Sequence, residues 1–348
     1  MKAATLYGKE DLRVEDVPPR PLDPGEVRIR IEAALTCGTD LKVFKRGYHA
    51  QMIVPPALFG HELAGTICEA CESRFDGGSF PWKPGDRVVV ANSAPCGACF
   101  YCQKSQENLC ENLLFLNGAY AESIAVPARL VQKNLVRLGN DTAFSDAALT
   151  EPLACVVQGI QDLRPQRGER MLVIGAGPIG LMFVALGTHL GCTVTAAGRG
   201  SKRLEAASRL GAREVIDVRD NAGFSDNAHG DARFDIVVEA VGKPETWHAA
   251  VKLVRKGGRV YFFGGCPSGT TVSFDTGLVH YSNLTLLASF HHTPRTIRRA
   301  LQFIESGAFD ASLFVGEERP LRDLPEVFRA MARGGAGAVK TLLRTKLD

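Results

Sequence analysis

The chain contains no long apolar run and no dense run of lysine and arginine. No window reaches the roughly 18 uninterrupted apolar residues that a membrane-spanning helix needs. The first stretch, MKAATLYGKEDLRVEDVPP, lacks the apolar core of a signal peptide. The formal net charge is only +3, which argues against a nucleic-acid or membrane-surface partner. We therefore expect a cytoplasmic protein that binds neither nucleic acid nor membrane.

Internal repeats and low-complexity segments are also missing. Hydrophobic residues make up 45% of the chain and charged residues 23%, as in ordinary globular proteins. A length of 348 residues exceeds what one hydrophobic core usually organises. The composition therefore predicts a folded protein with two domains.

The first third of the chain has the alternating pattern of β-strands. The stretches EVRIRIEAAL (26–35) and DRVVVA (86–91) are separated by segments rich in proline and glycine. These features predict a compact β-rich domain with long loops.

From about Glu151 the pattern changes to apolar strands that alternate with helices. The strands are MLVIGAG (171–177), FDIVVEA (234–240) and GRVYFFGG (258–265). Strands that are apolar throughout indicate a parallel sheet covered on both faces. The tail from about Phe290 is predicted to hold a helix, PRTIRRALQFIESG, and a last strand near AVKTLLRT. It does not extend this alternation and is expected to return to the first domain.

A glycine-rich turn stands between a strand and a helix. In VIGAGPIG (173–180), Gly175, Gly177 and Gly180 have the G-x-G-x-x-G spacing, with Pro178 and Ile179 inside it. The glycines permit a tight turn, close approach of a pyrophosphate and close packing of helix on strand. The strand–turn–helix context predicts a dinucleotide site. The alternative is a glycine turn that binds no nucleotide.

The end of the next strand indicates which nicotinamide cofactor is used. A carboxylate there binds the ribose of NAD, whereas a nearby arginine accommodates the 2′-phosphate of NADP. This chain has Gly198 and Arg199, followed by Ser201, Lys202 and Arg203. Guanidinium–phosphate pairing by Arg199 favours NADP over NAD. The alternative is that these are solvated charges at the start of a helix.

Cysteine is the least ordinary feature of the chain. Ten cysteines in a reducing compartment favour a metal site over disulfides. Four thiolates spaced C-x2-C-x2-C-x7-C can close a tetrahedron around a structural zinc ion; they are Cys96, Cys99, Cys102 and Cys110. An iron–sulfur cluster is the alternative, but its typical C-x3-C-P ending is missing. A further C-x2-C pair, Cys68 and Cys71, is interpreted as two cysteines of a sheet without a function.

A second set of metal-binding side chains lies in the first domain. TCGTD (36–40) and FGHELAG (59–65) place Cys37, His61 and Glu62 in loops. A catalytic zinc ion needs few protein ligands and an open position, and thiolate and imidazole suit it. Taken singly, Cys37 would more often be a buried thiol.

These motifs follow one another in the order of a known family. CGTD, GHE, the four-cysteine loop, EPLAC (151–155) and VIGAGPIG make the chain resemble the zinc-dependent medium-chain dehydrogenases, also called the zinc-containing alcohol dehydrogenase family, in their sorbitol (polyol) and threonine dehydrogenase branch. The resemblance spans essentially the whole chain. It implies an α/β protein with a GroES-like β-rich catalytic domain over 1–152, to which 290–348 return, and a Rossmann doubly wound parallel-sheet domain over 153–289. It also implies a homodimer or homotetramer.

The resemblance further implies a catalytic zinc ion held by Cys37, His61 and Glu62. Glu151 stands where simple alcohol dehydrogenases have a cysteine, and in the polyol branch it reaches the metal directly or through water. Thr39 is implied as the hydroxyl that bonds the substrate oxygen. Zinc would polarise the alcohol, and hydride would pass to the nicotinamide.

Two positions depart from the family pattern. Many relatives carry a histidine for proton relay where this chain has Lys42, so lysine or water would take that part. In SFHHTPR (289–295), His291 and His292 stand where sorbitol-type enzymes present an arginine to the substrate. Two histidines can bond a hydroxylated or phosphorylated substrate, or they are a loop or interface feature.

The sequence thus predicts an NAD(P)-linked oxidoreductase that interconverts a secondary alcohol and its ketone, of the polyol, sugar alcohol or cyclitol type. An L-threonine 3-dehydrogenase is the nearest alternative. A non-catalytic nucleotide-binding zinc protein is the alternative of another class. It is disfavoured because such a protein has no physical reason to retain an open metal site.

Overall fold

A computed structural model describes residues 1–49, 52–73, 78–220, 234–334 and 339–345. The chain forms two compact units. Unit 1 comprises Met1–Ala154, His292–Gly307 and Phe314–Asp348, and unit 2 comprises Cys155–His291 with Ala308–Leu313. In the part of the chain that is described, every helix is too short or too polar to cross a bilayer.

The described residues form eighteen strands. In chain order they are β1 (Lys2–Gly8), β2 (Asp11–Asp16), β3 (Val27–Leu35), β4 (Ala57–Leu58), β5 (Leu63–Ala70), β6 (Arg87–Val90), β7 (Ser93–Ala94), β8 (Leu114–Phe115), β9 (Ser123–Val126), β10 (Leu135–Arg137), β11 (Arg170–Ile174), β12 (Thr193–Gly198), β13 (Glu214–Asp217), β14 (Phe234–Glu239), β15 (Val254–Phe262), β16 (Thr285–Leu287), β17 (Val315–Pro320) and β18 (Lys340–Arg344).

Eleven α-helices accompany them within the same described ranges. They are α1 (Gly38–Arg46), α2 (Phe100–Gln103), α3 (Ala128–Asn134), α4 (Phe144–Ala147), α5 (Thr150–Leu163), α6 (Pro178–His189), α7 (Ser201–Arg209), α8 (Pro244–Leu253), α9 (Thr276–Tyr281), α10 (Pro294–Glu305) and α11 (Leu324–Ala332).

Unit 1 is built on antiparallel pairing. Its largest sheet has the order β10-β6-β5-β3-β18-β17, with β9 also paired to β3, and a smaller sheet has the order β2-β1-β4. The tail contributes β18, which pairs antiparallel with β3 through Leu342↔Leu35 and Leu343↔Ala34. Residues far apart in sequence therefore meet at the end of β3, which leads directly into Cys37.

An aromatic cluster packs beneath this end of β3. Phe328 of α11 lies with its ring centroid 5.6 Å from Phe44, 5.4 Å from Phe59 and 6.0 Å from Tyr120. All four side chains are fully or almost fully buried. Tilted and edge-on aromatic pairs of this kind add stability beyond that of the area they bury. The packing therefore fixes the position of the Tyr120 ring.

Unit 2 contains a six-stranded parallel sheet with the order β13-β12-β11-β14-β15-β16. Strands β11, β14 and β15 are almost continuously buried where they pair, and α6 is buried from Gly180 to Gly187, as expected of a sheet covered by helices. The chain order reverses between β11 and β14, which is where such sheets bind dinucleotides. The predicted α/β class with a doubly wound parallel sheet is confirmed.

Candidate functional site

Cys37 is the N-cap of α1. Its backbone is extended, and its Sγ accepts a hydrogen bond from the backbone N–H of Thr39 at 3.3 Å. The side chain is partly exposed. The sulfur thus faces the start of a helix, where unpaired N–H groups favour negative charge.

His61 is buried and oriented by Asp40. The two side chains lie 2.9 Å apart, from Nδ1 to Oδ1, and Tyr120 donates its hydroxyl to the other Asp40 oxygen at 2.7 Å. A carboxylate partner at Nδ1 makes that nitrogen the donor and leaves Nε2 as the ligand atom. Burial alone would lower the pKa of His61, but the charges of Asp40 and Cys37 raise it well above its ordinary value.

A glycine beside His61 allows this arrangement. Gly60 has φ +90°, and a Cβ there would lie 2.5 Å from the Tyr120 ring. Any other residue would push away the ring whose hydroxyl holds Asp40. Gly60 therefore serves the orientation of His61 as well as the turn.

Glu62 is fully buried and forms an ion pair with Lys340 of β18. The Lys340 ammonium donates to both carboxylate oxygens, at 2.7 and 2.6 Å, and to the Thr36 carbonyl at 3.1 Å. Burial raises the pKa of Glu62 while Lys340 opposes the rise; burial would lower the pKa of Lys340, but the charge of Glu62 keeps it raised. A carboxylate has about four acceptor positions, so Glu62 can keep Lys340 and still offer one to a metal ion.

Glu151 stands in the first turn of α5 and is buried. Burial raises its pKa to about 7, and the charges of His61 and Glu62 act on it in opposite directions. Within the described ranges, no hydrogen bond from another residue reaches its carboxylate. The group therefore has free acceptor capacity close to His61 and Glu62.

Cys37, His61 and Glu62 form what we term the Cys37 cluster. Their ligand atoms all lie within 4.8 Å of one another. Thiolate, imidazole and carboxylate are the ligand types of catalytic zinc, and Asp40 presents the correct imidazole nitrogen. The residues present therefore fit a zinc ion with an open position.

The four predicted cysteines come together in a separate lobe of unit 1. Their sulfurs all lie within 4.8 Å of one another, with 4.0 Å between Cys96 and Cys102 and 3.9 Å between Cys99 and Cys110. Four ligands about 2.3 Å from a central zinc ion lie roughly 3.8 Å apart, whereas a disulfide needs about 2.05 Å. The four-cysteine lobe therefore fits a closed zinc site.

Backbone N–H groups point at the sulfurs of this lobe. Cys96 accepts from Ala98 and Cys99, each at 3.4 Å, and these bonds lower the pKa of the Cys96 thiol to about 6. Cys110 accepts from Cys96 at 3.2 Å and from Asn112 at 3.4 Å. These backbone bonds stabilise the Cys96 thiolate, whereas burial raises the pKa of the Cys102 and Cys110 thiols.

The glycine-rich turn lines a pocket of about 800 Å³ in unit 2. Gly175 has φ +113°, and a Cβ on Gly180 would lie 1.7 Å from the Gly175 carbonyl oxygen, whereas the space around Gly177 is open. Pro178 and Ile179 begin α6 behind Gly177. The turn thus brings α6 close to the strand and leaves one face of the backbone open, as a pyrophosphate requires.

Three cationic side chains line the glycine-turn pocket: Arg199, Arg203 and Lys243. None of them forms an ion pair with a carboxylate of the described residues. Ser201 begins α7 beside the pocket, and Lys202 is exposed next to it. One carboxylate, Glu245, also lines the pocket. With three cations against one acid, the pocket keeps an excess of positive charge for an anionic ligand.

The sheet register also brings an acidic residue to this edge. Asp217 at the end of β13 pairs in register with Gly198, and Arg219 donates to both its oxygens, with its Nε 3.0 Å from each. This hydrogen bonding lowers the pKa of Asp217, and Arg199 adds a smaller effect in the same direction. The carboxylate near Gly198 is therefore already paired.

The remaining candidates are distributed as follows. Thr39 and Lys42 are exposed on α1. His291 belongs to unit 2, with φ +68°. His292 belongs to unit 1 and is buried, with Nε2 2.9 Å from Asn92 Oδ1. The Cys68 and Cys71 pair lies at the end of β5.

Sequence reasoning missed the residues that support the candidate site residues, which are Asp40, Asn92, Tyr120 and Lys340, and it missed Lys243 in the glycine-turn pocket. Asp40 was within reach, because it stands in the TCGTD motif three residues after the cysteine. Lys340 carried no signal, because its strand, KTLLR, also contains Thr341 and the exposed Arg344. Asn92 and Tyr120 had none, because their partners are distant in sequence.

Comparison with known protein families gives matches in both halves of the chain. Residues 23–135 match the family described as alcohol dehydrogenase GroES-like domain, and residues 178–306 match the family described as zinc-binding dehydrogenase. The predicted GroES-like and Rossmann combination is confirmed.

Individual relatives cover nearly the whole chain. A D-altritol 5-dehydrogenase of Agrobacterium fabrum is 32% identical over 94% of this chain and 95% of its own. An L-threonine 3-dehydrogenase of Bacillus velezensis is 30% identical over 94% of each. The solved structure of a zinc-binding dehydrogenase of Sinorhizobium meliloti with NADP bound has a TM-score of 0.88, with 27% identity over 99% of this chain and 98% of that one.

The raised pKa of Glu151 predicts a pH dependence of stability. The folded metal-free protein keeps a proton at Glu151 up to about pH 7, whereas the unfolded chain loses it near 4.5, so stability falls as the pH rises through this interval. At about 1.36 kcal/mol per pKa unit, the fall is roughly 3 kcal/mol. We expect Glu151→Gln to remove this part of the fall, measured by denaturant unfolding of metal-free protein at several pH values. Parallel curves for the two proteins would contradict the assignment.

The two clusters also predict the metal content. We expect two zinc ions per chain, of which Cys102→Ser removes one and Cys37→Ser the other, because the clusters use separate ligands. Elemental analysis of the purified proteins measures this. A single zinc ion in the unsubstituted protein, or loss of both ions from either variant, would be inconsistent with two independent sites.

Proposed function

The chain belongs to the zinc-dependent medium-chain dehydrogenase family, and we propose that it oxidises a secondary alcohol of the polyol, sugar alcohol or cyclitol type reversibly to the ketone, with NADP as the preferred cofactor. The observation that carries this proposal is the open Cys37 cluster with Glu151 beside it in the same unit. A closed site, like the four-cysteine lobe, leaves no position for a substrate.

We propose that unit 1 supplies the catalytic metal site and unit 2 the cofactor site. Cys37, His61 and Glu62 would hold catalytic zinc, with Glu151 near it, and the four-cysteine lobe would hold structural zinc. When bound, zinc would polarise the alcohol and the nicotinamide would accept hydride.

The contribution of the chain itself is orientation and charge. Asp40, held by Tyr120, fixes the His61 ring. Lys340 balances the buried negative charge of Glu62. Glu62 can therefore stay ionised in the cluster without being a buried charge that lacks a partner.

The substrate proton needs a route to solvent. The Thr39 hydroxyl is exposed one residue from the start of α1, and we assign to it the first hydrogen bond to the substrate oxygen. Lys42 is exposed one turn further along the helix. The pair offers a short polar route in which lysine or water takes the place of the family histidine.

The preference for NADP rests on the cations of the glycine-turn pocket. A guanidinium matches a phosphate with two parallel hydrogen bonds, and Arg199 and Arg203 both line the pocket. Gly198 brings no carboxylate, and Asp217 is occupied by Arg219. The NADP-bound relative supports the same cofactor.

Two further features of the proposal concern the substrate and the assembly. The altritol dehydrogenase relative supports a polyol, for which we retain His291 as a hydroxyl-binding candidate. We propose a homodimer or homotetramer, in line with family habit.

Oxidation of L-threonine is the second candidate function, because a threonine 3-dehydrogenase is almost as similar to this chain as the altritol enzyme is. Threonine needs an acidic partner for its ammonium and a donor for its carboxylate. The described carboxylates in and beside the Cys37 cluster already have other parts: Glu62 pairs with Lys340, Asp40 holds His61, and Glu151 is assigned to the metal site.

The test is to follow nicotinamide reduction with NADP and with NAD across polyols, inositols, L-threonine and simple secondary alcohols. We expect turnover of a polyol or cyclitol, and none by the Cys37→Ser variant, which loses a metal ligand. Turnover of threonine alone would establish the second candidate. No turnover of any compound by protein that holds two zinc ions would refute the proposed substrate class.

Arg199→Asp tests the cofactor proposal. Losing a charged hydrogen bond of about 1.5–3 kcal/mol should lower kcat/KM for NADP by roughly 10- to 100-fold, and the new carboxylate should favour NAD. Lys202→Asp is the matched control, because it reverses a neighbouring exposed charge that does not line the pocket. Equal effects of the two substitutions would exclude a specific role of Arg199.

A further inference from the structure

His292 lies in unit 1 with a side chain that is 2% exposed. It directly precedes Thr293, the N-cap of α10. Thr293 and Thr296 form a reciprocal capping box, with Thr293 N–H donating to Thr296 Oγ1 at 2.9 Å and Thr296 N–H donating to Thr293 Oγ1 at 3.2 Å. Such a cap fixes the path of the chain into the helix. The backbone that carries His292 is therefore held rigidly.

The ring of His292 has two polar neighbours. Its Nε2 lies 2.9 Å from Asn92 Oδ1 and 3.8 Å from Glu151 Oε1. Asn92 is 3% exposed, and its backbone carbonyl accepts a hydrogen bond from the backbone N–H of Leu116 at 2.7 Å. With the amide oxygen facing the ring, Nε2 carries the hydrogen. The Nε2–H is thus directed to Asn92, and the edge of the ring that carries it lies 3.8 Å from a Glu151 oxygen.

Glu151 needs such a neighbour. At 3.8 Å the contact with His292 is longer than a hydrogen bond, yet it is an electrostatic contact between two buried groups, where charges are weakly screened. Carboxylates that face a metal are normally held by groups behind them. His292 lies at ion-pair distance from a Glu151 oxygen and is itself held by Asn92.

We propose that His292 is a positioning residue for Glu151: the ring, which Asn92 holds through the Nε2–H, lies against the carboxylate and keeps it beside the Cys37 cluster. This inference rests on the proposed function, because it takes the Cys37 cluster as the catalytic metal site. It gives His292 a part different from the one proposed for His291: His292 acts on the metal site through a carboxylate, whereas His291 is the candidate for contact with a substrate hydroxyl.

The test compares the metal affinity of variants of the whole chain. His292→Phe keeps the ring volume and removes the N–H, whereas His292→Gln keeps an N–H donor. Zinc affinity of the Cys37 cluster is measured by competition with a chromogenic chelator, with the four-cysteine lobe still filled. The absorption spectrum of the cobalt-substituted cluster reports the ligand geometry. His248→Phe, which alters an exposed histidine of unit 2, is the matched control.

Removal of a group behind a metal ligand typically weakens metal affinity 10- to 100-fold. We expect His292→Phe to show a loss of this size with a changed cobalt spectrum, His292→Gln to restore part of it, and His248→Phe to show neither effect. If His292→Phe raised KM for the alcohol and left zinc affinity and the cobalt spectrum unchanged, His292 would be a substrate contact and the inference would be overturned.

Two controls distinguish a wrong role for His292 from a variant that fails to fold and from a wrong proposed function. If His292→Phe does not fold, the comparison of His292→Gln with Asn92→Leu decides: Asn92→Leu removes the group that aims the ring and should weaken zinc binding as well, and normal zinc binding by both variants would overturn the inference. Failure of the unsubstituted protein to bind zinc at the Cys37 cluster would instead overturn the proposed function, and it is seen before any variant is made.

Discussion

The Asp40 carboxylate is the interaction on which the metal site depends. It accepts from Tyr120 and lies against His61 Nδ1, so one buried acid joins the aromatic cluster under β3 to the imidazole that faces the metal position. A buried carboxylate is stable only when its acceptor positions are filled. The packing of Phe328, Phe59 and Tyr120 thereby sets the direction of a ligand atom, because a shift of the ring would leave Asp40 short of a donor.

Each unit pairs one carboxylate of its site with a cation and leaves other charged or acidic groups without such a partner among the described residues. In the Cys37 cluster, Glu62 is balanced by Lys340, and Glu151 stays without a hydrogen bond from the described residues. Next to the glycine-turn pocket, Asp217 is balanced by Arg219, while Arg199, Arg203 and Lys243 in the pocket lining form no ion pair with a carboxylate of the described residues. Arg219 thus neutralises an acid that would repel an anionic ligand, whereas Lys340 compensates a buried charge that would be costly to leave unpaired.

The features that could be predicted from the sequence are those that depend on residues close together in the chain. The apolar strands β11, β14 and β15 and the Gly175–Gly177–Gly180 spacing predicted the parallel sheet and the turn, because periodicity and glycine conformation are properties of a few adjacent residues. The four cysteines were equally readable from spacing. The partners of the ligands were not, because Tyr120 meets Asp40 across 80 residues and Lys340 meets Glu62 across 278. Asp217 beside Gly198 likewise depends on strand register, which sequence patterns of this kind do not specify.

The pairing of Glu62 with Lys340 has a consequence for the order in which the protein can be built. A ribosome delivers Glu62 long before Lys340, and domains begin to fold as they emerge. Burying Glu62 without its counter-charge is strongly unfavourable. We therefore expect Glu62 to stay in contact with water until β18 has been made and has paired with β3. We expect the Cys37 cluster to capture its metal only after Lys340 has been synthesised, whereas the four-cysteine lobe, whose ligands lie within one short loop, can bind its metal as soon as that loop has emerged.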